Sequence, residues 1–250
     1  MLNFQSYSKY YDLLYKDKNY LAEARYVNSL VKKYAPNSKT ILELGCGSGA
    51  HANYLVQDGF LIKGVERSAE MVKEAKKKQI ENFFPIQAEI ENFSINEREF
   101  DIAISLFHVI SYLTANQILV KSLRNINQHL KSGGLFIFDV WYSPAVYHQK
   151  PETRIKRLIN DKIEITRLAE STVESYKNIV NVNYEILITD KQTKKVEVLK
   201  ETHPMRHFST PEIELLAELS NFKMVHAEEF LTAERPSENT WGVCFILKKV

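Results

Sequence analysis

The sequence predicts an α/β protein, a mostly parallel sheet covered by helices on both faces and interrupted late in the chain by an antiparallel insertion. Three observations lead there. Short apolar runs alternate with helical periodicity from Thr40 to Val140, the rhythm of βα units whose strands are buried on both sides. The first run ends in Gly45-Cys46-Gly47-Ser48-Gly49, a glycine turn of the kind that joins strand to helix beside a ligand. After about Arg154 the period becomes two, clearest at Val180, Val182, Tyr184, Ile186 and Ile188, which reads as antiparallel strands.

Taken in order, residues 1–18 are a tyrosine-rich lead with Tyr7, Tyr10, Tyr11 and Tyr15. A helix is expected from Asn19 to Tyr34, where Val27, Leu30, Val31 and Tyr34 share one face and Pro36 lies beyond the end. Thr40 to Leu44 is the first strand, and a helix from Ala50 to Asp58 ends at Gly59. Phe60 to Val65 is the second strand. Ser68 caps the next helix, with Glu70 in its first turn and Met71, Val72 and Ala75 on one face. Phe83–Ala88 and Phe100–Leu106 are further strands. A helix striped by Leu119, Leu123, Ile126 and Leu130 is expected to stop at Gly133-Gly134, with Leu135–Val140 as the fifth strand. The antiparallel stretch runs to Phe208. Thr210-Pro211-Glu212 then opens a helix with proline at its first position, and strands at Lys223–Leu231 and Thr240–Lys248 close the chain. The organisation expected is a helical lid at 1–35, a core at 36–145 and 209–250, and the insertion at 146–208.

The bulk numbers bound the function. The 250 residues are 44% hydrophobic and 26% charged, with a net charge of +2, so no strong field draws the chain to nucleic acid or to a membrane surface. The two cysteines, Cys46 and Cys244, make neither a disulfide framework nor a zinc site by themselves, and no metal is expected. Met1 to Asp12 lacks the pattern of a signal peptide. The longest apolar run, Ile102–Ile110, is about half a membrane span and is broken by Ser105 and His108. A soluble, cytoplasmic protein is the expectation.

The glycine turn admits two cofactors. Gly45, Gly47 and Ala50, with Glu66 following, satisfy a loose dinucleotide-binding pattern. Charge argues against it, because Glu43 at the end of the first strand would meet a pyrophosphate with like charge. S-adenosylmethionine brings an ammonium and a sulfonium instead, which a carboxylate suits. Glu66 can accept from ribose hydroxyls in either case.

Ile41 to Gly49 resembles the first motif of class I methyltransferases, and Gly64-Val65-Glu66-Arg67-Ser68 is similar to their second-strand acidic motif. Gln87-Ala88-Glu89-Ile90 matches the adenine-edge segment, with Glu89 where aspartate is commoner, and Phe100-Asp101 followed by Ser105–His108 matches the fourth-strand motif. The resemblance implies a seven-stranded, mostly parallel Rossmann-like sheet with one antiparallel strand. It also implies S-adenosylmethionine as cofactor and S-adenosylhomocysteine as product, held by Tyr15, Glu43, Gly45, Cys46, Gly47, Glu66, Arg67, Met71, Ala88, Glu89, Ile90, Leu106 and Phe107.

A narrower resemblance rests on Tyr10–Tyr15 with Lys18 and Tyr20, on Leu106–Leu113, on Asp139–Pro144 and on Glu201–Phe208. These segments resemble nucleotide-sugar N-methyltransferases, which methylate the amino group of a nucleotide-linked deoxyaminosugar. That likeness implies an insertion that covers the substrate and contributes to a homodimer. His108 is the candidate base, and Tyr11 with Tyr15 the candidate closure over the site. Tyr7, Tyr112, Trp141, Tyr142 and Arg206 are candidate substrate contacts, Arg206 for a phosphate. O-methylation of a sugar, N-methylation of another small amine, a cofactor-binding protein without turnover and a dinucleotide oxidoreductase stay open as competitors.

Overall fold

The computed structural model describes residues 13–96 and 99–250. Helix α1 (Tyr20–Tyr34) begins at Asn19, whose side-chain oxygen accepts from the Ala22 N–H at 3.0 Å, and it buries Ala24, Val27, Leu30 and Val31. The chain continues as β1 (Thr40–Leu44), α2 (Ala52–Leu55, extended by a 3-10 turn at Val56–Asp58) and β2 (Leu61–Glu66). Gly59 ends the α2 segment at φ 89°, the left-handed cap its sequence promised. Then come α3 (Ala69–Lys77), capped by the Ser68 hydroxyl, β3 (Phe83–Gln87), β4 (Phe100–Ser105), α4 (Asn116–His129) and β5 (Leu130–Tyr142).

Helix α5 (Ser143–Gln149) leads to β6 (Arg154–Ile159), β7 (Ile163–Glu174), β8 (Ile179–Asp190) and β9 (Val196–Phe208). Helix α6 (Thr210–Glu218), β10 (Phe222–Glu229) and β11 (Gly242–Lys249) complete the chain.

The strands β3-β2-β1-β4-β5 are parallel neighbours, and β11 then pairs antiparallel with both β5 and β10. This is the seven-stranded, mostly parallel sheet expected. Alternation within each strand builds its two faces. Leu42, Leu44, Ala103, Phe136, Phe138 and Val140 join one core with α4 and α6. Ile41, Ile102, Ile104, Leu135 and Ile137 join the other with α1. Glu43 and Asp139 continue the parity of this second set, so two carboxylates end an otherwise apolar face.

Strands β6–β9 pair antiparallel in sequence order. Their sheet meets the first where β9 runs parallel to β5 at Trp141↔His207 and Tyr142↔Phe208. The end of β5 is therefore shared between the core and the insertion.

Two expectations need correction. Gly133-Gly134 does not end a helix; α4 stops at His129, and the glycines lie inside β5 at a break in its register with β4. A Cβ on Gly134 would lie 2.9 Å from Lys131 O and 3.0 Å from Asp101 O, so the bulge brings backbones too close for a side chain. Helix α5 was not expected at all, although Pro144 stands in its first turn as in α6. Its seven residues are too few for periodicity to reveal.

Candidate active site

The strand order reverses between β1, whose neighbours are β2 and β4, and a ligand crevice belongs beyond the carboxyl ends of such strands. A cavity opens there. Its floor is the glycine turn after β1, with Gly45 at φ 70° and Gly47 at φ 54°. A side chain on Gly45 would collide with Val109, whose Cγ atoms would stand 2.6 Å from the added carbon. The turn and the 3-10 segment Val109–Tyr112 are thus packed backbone to side chain.

Two acids sit at the ends of β1 and β2. Glu66 lines the cavity and accepts from the Gly47 N–H at 3.1 Å and the Ser68 N–H at 2.8 Å. Burial raises its pKa, against the pull of those N–H groups and of Arg67. Glu43 is 2% exposed, and its Oε2 has no hydrogen-bond partner. Burial and then the charge of Glu66 push its pKa up to about 8. A pyrophosphate would add negative charge to this pair. A ligand with an ammonium, a sulfonium and ribose hydroxyls matches it, so the donor set fits S-adenosylmethionine. Burial, then Glu43 and Glu66, also raise the Cys46 thiol well above its usual range, so it stays neutral.

The wall after β4 is held in an uncommon conformation. Phe107 and His108 both have positive φ, 66° and 60°. His108 Nδ1 lies 2.7 Å from Asp139 Oδ2, and Asp139 is buried at the end of β5. Burial opposes the charge on Asp139, yet the His108 ring and backbone N–H hold its carboxyl below the usual range. The arrangement leaves the outer ring nitrogen of His108 as the proton-accepting end of a carboxylate–imidazole pair.

The opposite wall belongs to the insertion, with Val182, Tyr184, His203 and Met205 lining the cavity. His203 ties the insertion to the 3-10 turn after β4. Its Nδ1 is hydrogen-bonded to the Tyr112 hydroxyl at 2.8 Å, and its Nε2 faces Glu201 at 3.0 Å.

Of the residues singled out in the sequence, Tyr15, Gly45, Cys46, Gly47, Glu66, Arg67, Met71, Ala88, Glu89, Ile90, Leu106, Phe107, His108, Tyr112 and Trp141 all line this one cavity. Glu43 lies at the end of β1 without being among the lining residues. Tyr142 points elsewhere, its hydroxyl 3.2 Å from Thr210 Oγ1. Arg206 is also engaged away from the cavity, with Glu212, with Asn116 Oδ1 at 2.6 Å and with Thr114 O at 3.3 Å. Tyr7 and Tyr11 lie outside the described residues.

Tyr20, His51, Tyr184 and Met205 also line the cavity, although their sequence contexts do not mark them as site residues, and Asp139 stands behind His108. Asp139 carried a signal, a lone carboxylate in the apolar run Leu135–Val140. The insertion residues carried none, because which face of β8 and β9 meets the core is set by pairing far along the chain. Among the described residues there is no group of three or more His, Cys, Asp or Glu that could hold a metal ion, and no helix long and apolar enough to cross a membrane.

Residues 41–134 match a family model described as a methyltransferase domain. The dTDP-3-amino-3,4,6-trideoxy-alpha-D-glucopyranose N,N-dimethyltransferase of Streptomyces venezuelae is 27% identical over 139 residues, 55% of this chain and 58% of that enzyme. The match thus spans little more than half of that relative's length. An S-adenosylmethionine-dependent methyltransferase from Clostridium acetobutylicum ATCC 824 superposes with a TM-score of 0.82 at 20% identity, covering 98% of this chain and 99% of that one. The sugar N-methyltransferase KedS8 from Streptoalloteichus sp ATCC 53650 superposes at 0.82 with 23% identity, covering 96% and 92%. At such identities the two structures show a shared fold alone, while the domain match covers the cofactor motifs. Residues 41–134 are thus similar to a methyltransferase domain, and the chain has the fold of the class I S-adenosylmethionine-dependent methyltransferases.

Proposed function

We propose that this methyltransferase acts on the amino group of a nucleotide-linked aminosugar. The observation that carries the reading is one cavity shared by the cofactor motifs and the antiparallel insertion, which supplies its far wall. Relatives named as N,N-dimethyltransferases of dTDP-linked aminosugars favour that acceptor.

S-adenosylmethionine supplies a methyl group already activated on a sulfonium. The chain has to bring an amine lone pair in line with the methyl–sulfur bond, exclude water and receive one proton. Such orientation can supply on the order of 7–11 kcal/mol of the barrier. In this reading an acceptor that arrives as an ammonium gives a proton to His108, whose Nδ1 lies 2.7 Å from the Asp139 carboxylate and keeps its own proton. The carboxylate fixes that tautomer and stabilises the imidazolium. The freed lone pair would then be positioned to take the methyl group, the electron pair of the bond to sulfur leaving with the thioether. His108 returns its proton to solvent.

Glu66 takes the ribose hydroxyls in this reading, and Glu43 the amino-acid ammonium. Trp141, Tyr112, Tyr184 and Met205 surround the sugar. With Arg206 engaged by Glu212, phosphate contact falls to Arg67 and to Arg167, which packs 5.7 Å from the Tyr15 ring and 5.2 Å from the Tyr184 ring. A homodimer through the insertion belongs to the same reading, and the exposed Ile155, Ile159, Val196 and Val198 give it an apolar surface to cover.

One observation favours a second reading. A buried carboxylate behind a histidine is what a hydroxyl acceptor needs, since its proton is far harder to remove than that of an ammonium. The experiment is to follow S-adenosylhomocysteine release with matched dTDP-linked 3-amino and 3-hydroxy sugars. Release with the amine alone supports the proposal. Release with the hydroxyl alone transfers it to O-methylation.

A further inference from the structure

A second set of buried charges reaches the same site from the N-terminal side and takes no part in the proton transfer above. Glu43 Oε1 lies 3.8 Å from His51 Nδ1, while its Oε2 makes no hydrogen bond. His51 lines the cavity, and its Nε2 is 2.7 Å from Glu23 Oε2 on α1. Glu23 is paired in turn with Lys18, whose ammonium sits 4.5 Å from the Phe107 ring centre and 4.7 Å from that of Tyr20. The Tyr20 ring meets His51 edge-on at 5.0 Å. One buried chain, Lys18–Glu23–His51–Glu43, therefore runs from the segment before α1 to the end of β1.

Holding α1 in place does not account for it. Ala24, Val27, Leu30 and Val31 already bury that helix against the core, and removing four ionisable groups from water is unfavourable unless something compensates. The titratable groups acting on Glu43 are Glu66 from β2, Cys46 from the glycine turn and His51 ahead of α2. None of them hydrogen-bonds Oε2. A carboxyl group with one oxygen 3.8 Å from an imidazole and the other unmatched is complementary to a cationic ligand.

We propose that Glu23 and His51 are positioning residues for the cofactor: His51, held at Nε2 by Glu23, stands against one oxygen of Glu43 and so turns the other toward the amino-acid ammonium of S-adenosylmethionine. This rests on the reading that Glu43 meets that ammonium. Residues well before the glycine motif thereby contribute to cofactor affinity through charge, apart from any covering of the cavity.

Calorimetry on the full chain with two ligands tests it. One is S-adenosylhomocysteine; the other is 5′-methylthioadenosine, which keeps the adenosine and thioether but lacks the amino-acid ammonium and carboxylate. Glu43→Gln tests the underlying reading, and Glu23→Gln and His51→Gln test the proposal, with melting temperatures recorded for each. The expected result is a loss of roughly 10-fold for S-adenosylhomocysteine in all three, as for one charge-assisted hydrogen bond, and no change for methylthioadenosine. In the Glu43→Gln/His51→Gln double variant the losses should fall short of the sum, because both act on one contact.

If Glu43→Gln weakens both ligands alike, the reading of Glu43 fails. If Glu43→Gln is selective and the other two are not, positioning fails while that reading stands. Equal weakening of both ligands by Glu23→Gln and His51→Gln, with lowered melting temperatures, assigns them to holding α1 and overturns the proposal. Should His51→Gln not fold, Glu23→Gln and Lys18→Met carry the same comparison.

Discussion

Asp139 grips His108 twice, by the ring at 2.7 Å from Oδ2 and by the backbone N–H at 3.2 Å from the same oxygen. One buried carboxylate therefore fixes both the imidazole and the backbone of a residue whose φ is 60°. Such a conformation is unfavourable by about 1–3 kcal/mol and persists only where its surroundings impose it. Glu43, by contrast, ends the same sheet face with an oxygen that nothing protein-borne satisfies.

Asp139→Asn keeps the shape and removes the charge behind His108. The rate should fall by roughly 10²–10⁴, the range for a positioned base, with S-adenosylhomocysteine affinity unchanged. His108→Ala should match it. Rates within twofold of the parent for both variants would show that the acceptor arrives without a proton to lose.

Glu43 makes the ligand-free fold sensitive to alkali. Its pKa rises from the ordinary 4.5 to about 8, so the folded chain keeps a proton that the unfolded chain releases. The stability from this group is complete below about pH 4.5 and is lost as pH rises to about 8. Melting of Glu43→Gln should therefore gain on the parent between pH 5 and pH 8, by roughly 2–4 °C per kcal/mol. Parallel melting curves across that window would contradict the assignment.

Asp101 behaves with the opposite sign. Burial alone would raise its pKa, but Lys131 at 2.6 Å and the Lys39 and Thr40 N–H groups at 2.8 and 2.9 Å lower it from 3.8 to about 2. Its contribution is present above pH 3.8 and lost as pH falls through about 2. Asp101→Asn should cost about 1–2 kcal/mol in urea unfolding at pH 7, the gap closing toward pH 2. A gap that stays constant with pH would show that the charge is not what matters.

Gly45 has two reasons to be glycine, a φ of 70° and the nearby Val109. Gly45→Ala should lower stability by about 1–3 kcal/mol and weaken S-adenosylhomocysteine binding. Adding Val109→Ala should restore the part due to collision and leave the part due to φ. Full recovery would mean that the backbone there relaxes freely.

The parallel core was legible in the sequence because each of its signals is local. Alternation and helical stripes put Leu42, Leu44, Leu119, Leu123 and Ile126 in the core where they are, and Asn19, Ser68 and Gly59 stand where helix ends require them. Gly133-Gly134 misled because a glycine pair serves a bulge as well as a stop. The site was half legible. Cofactor-motif residues are contiguous turns at strand ends and declare themselves. Tyr184 and Met205 reach the cavity through the pairing of β5 with β9, which joins residues more than sixty apart in the chain, and Arg206 was drawn off by Glu212 on the following helix.

Methyl transfer to an amine is tested most directly by mass spectrometry of products formed from S-adenosylmethionine and a panel of dTDP-linked aminosugars with their hydroxyl counterparts. The expected product carries one or two added methyl groups on nitrogen, from the amino compounds alone. Methylation confined to hydroxyl compounds, or no product from either by protein that binds S-adenosylhomocysteine, would contradict the aminosugar assignment.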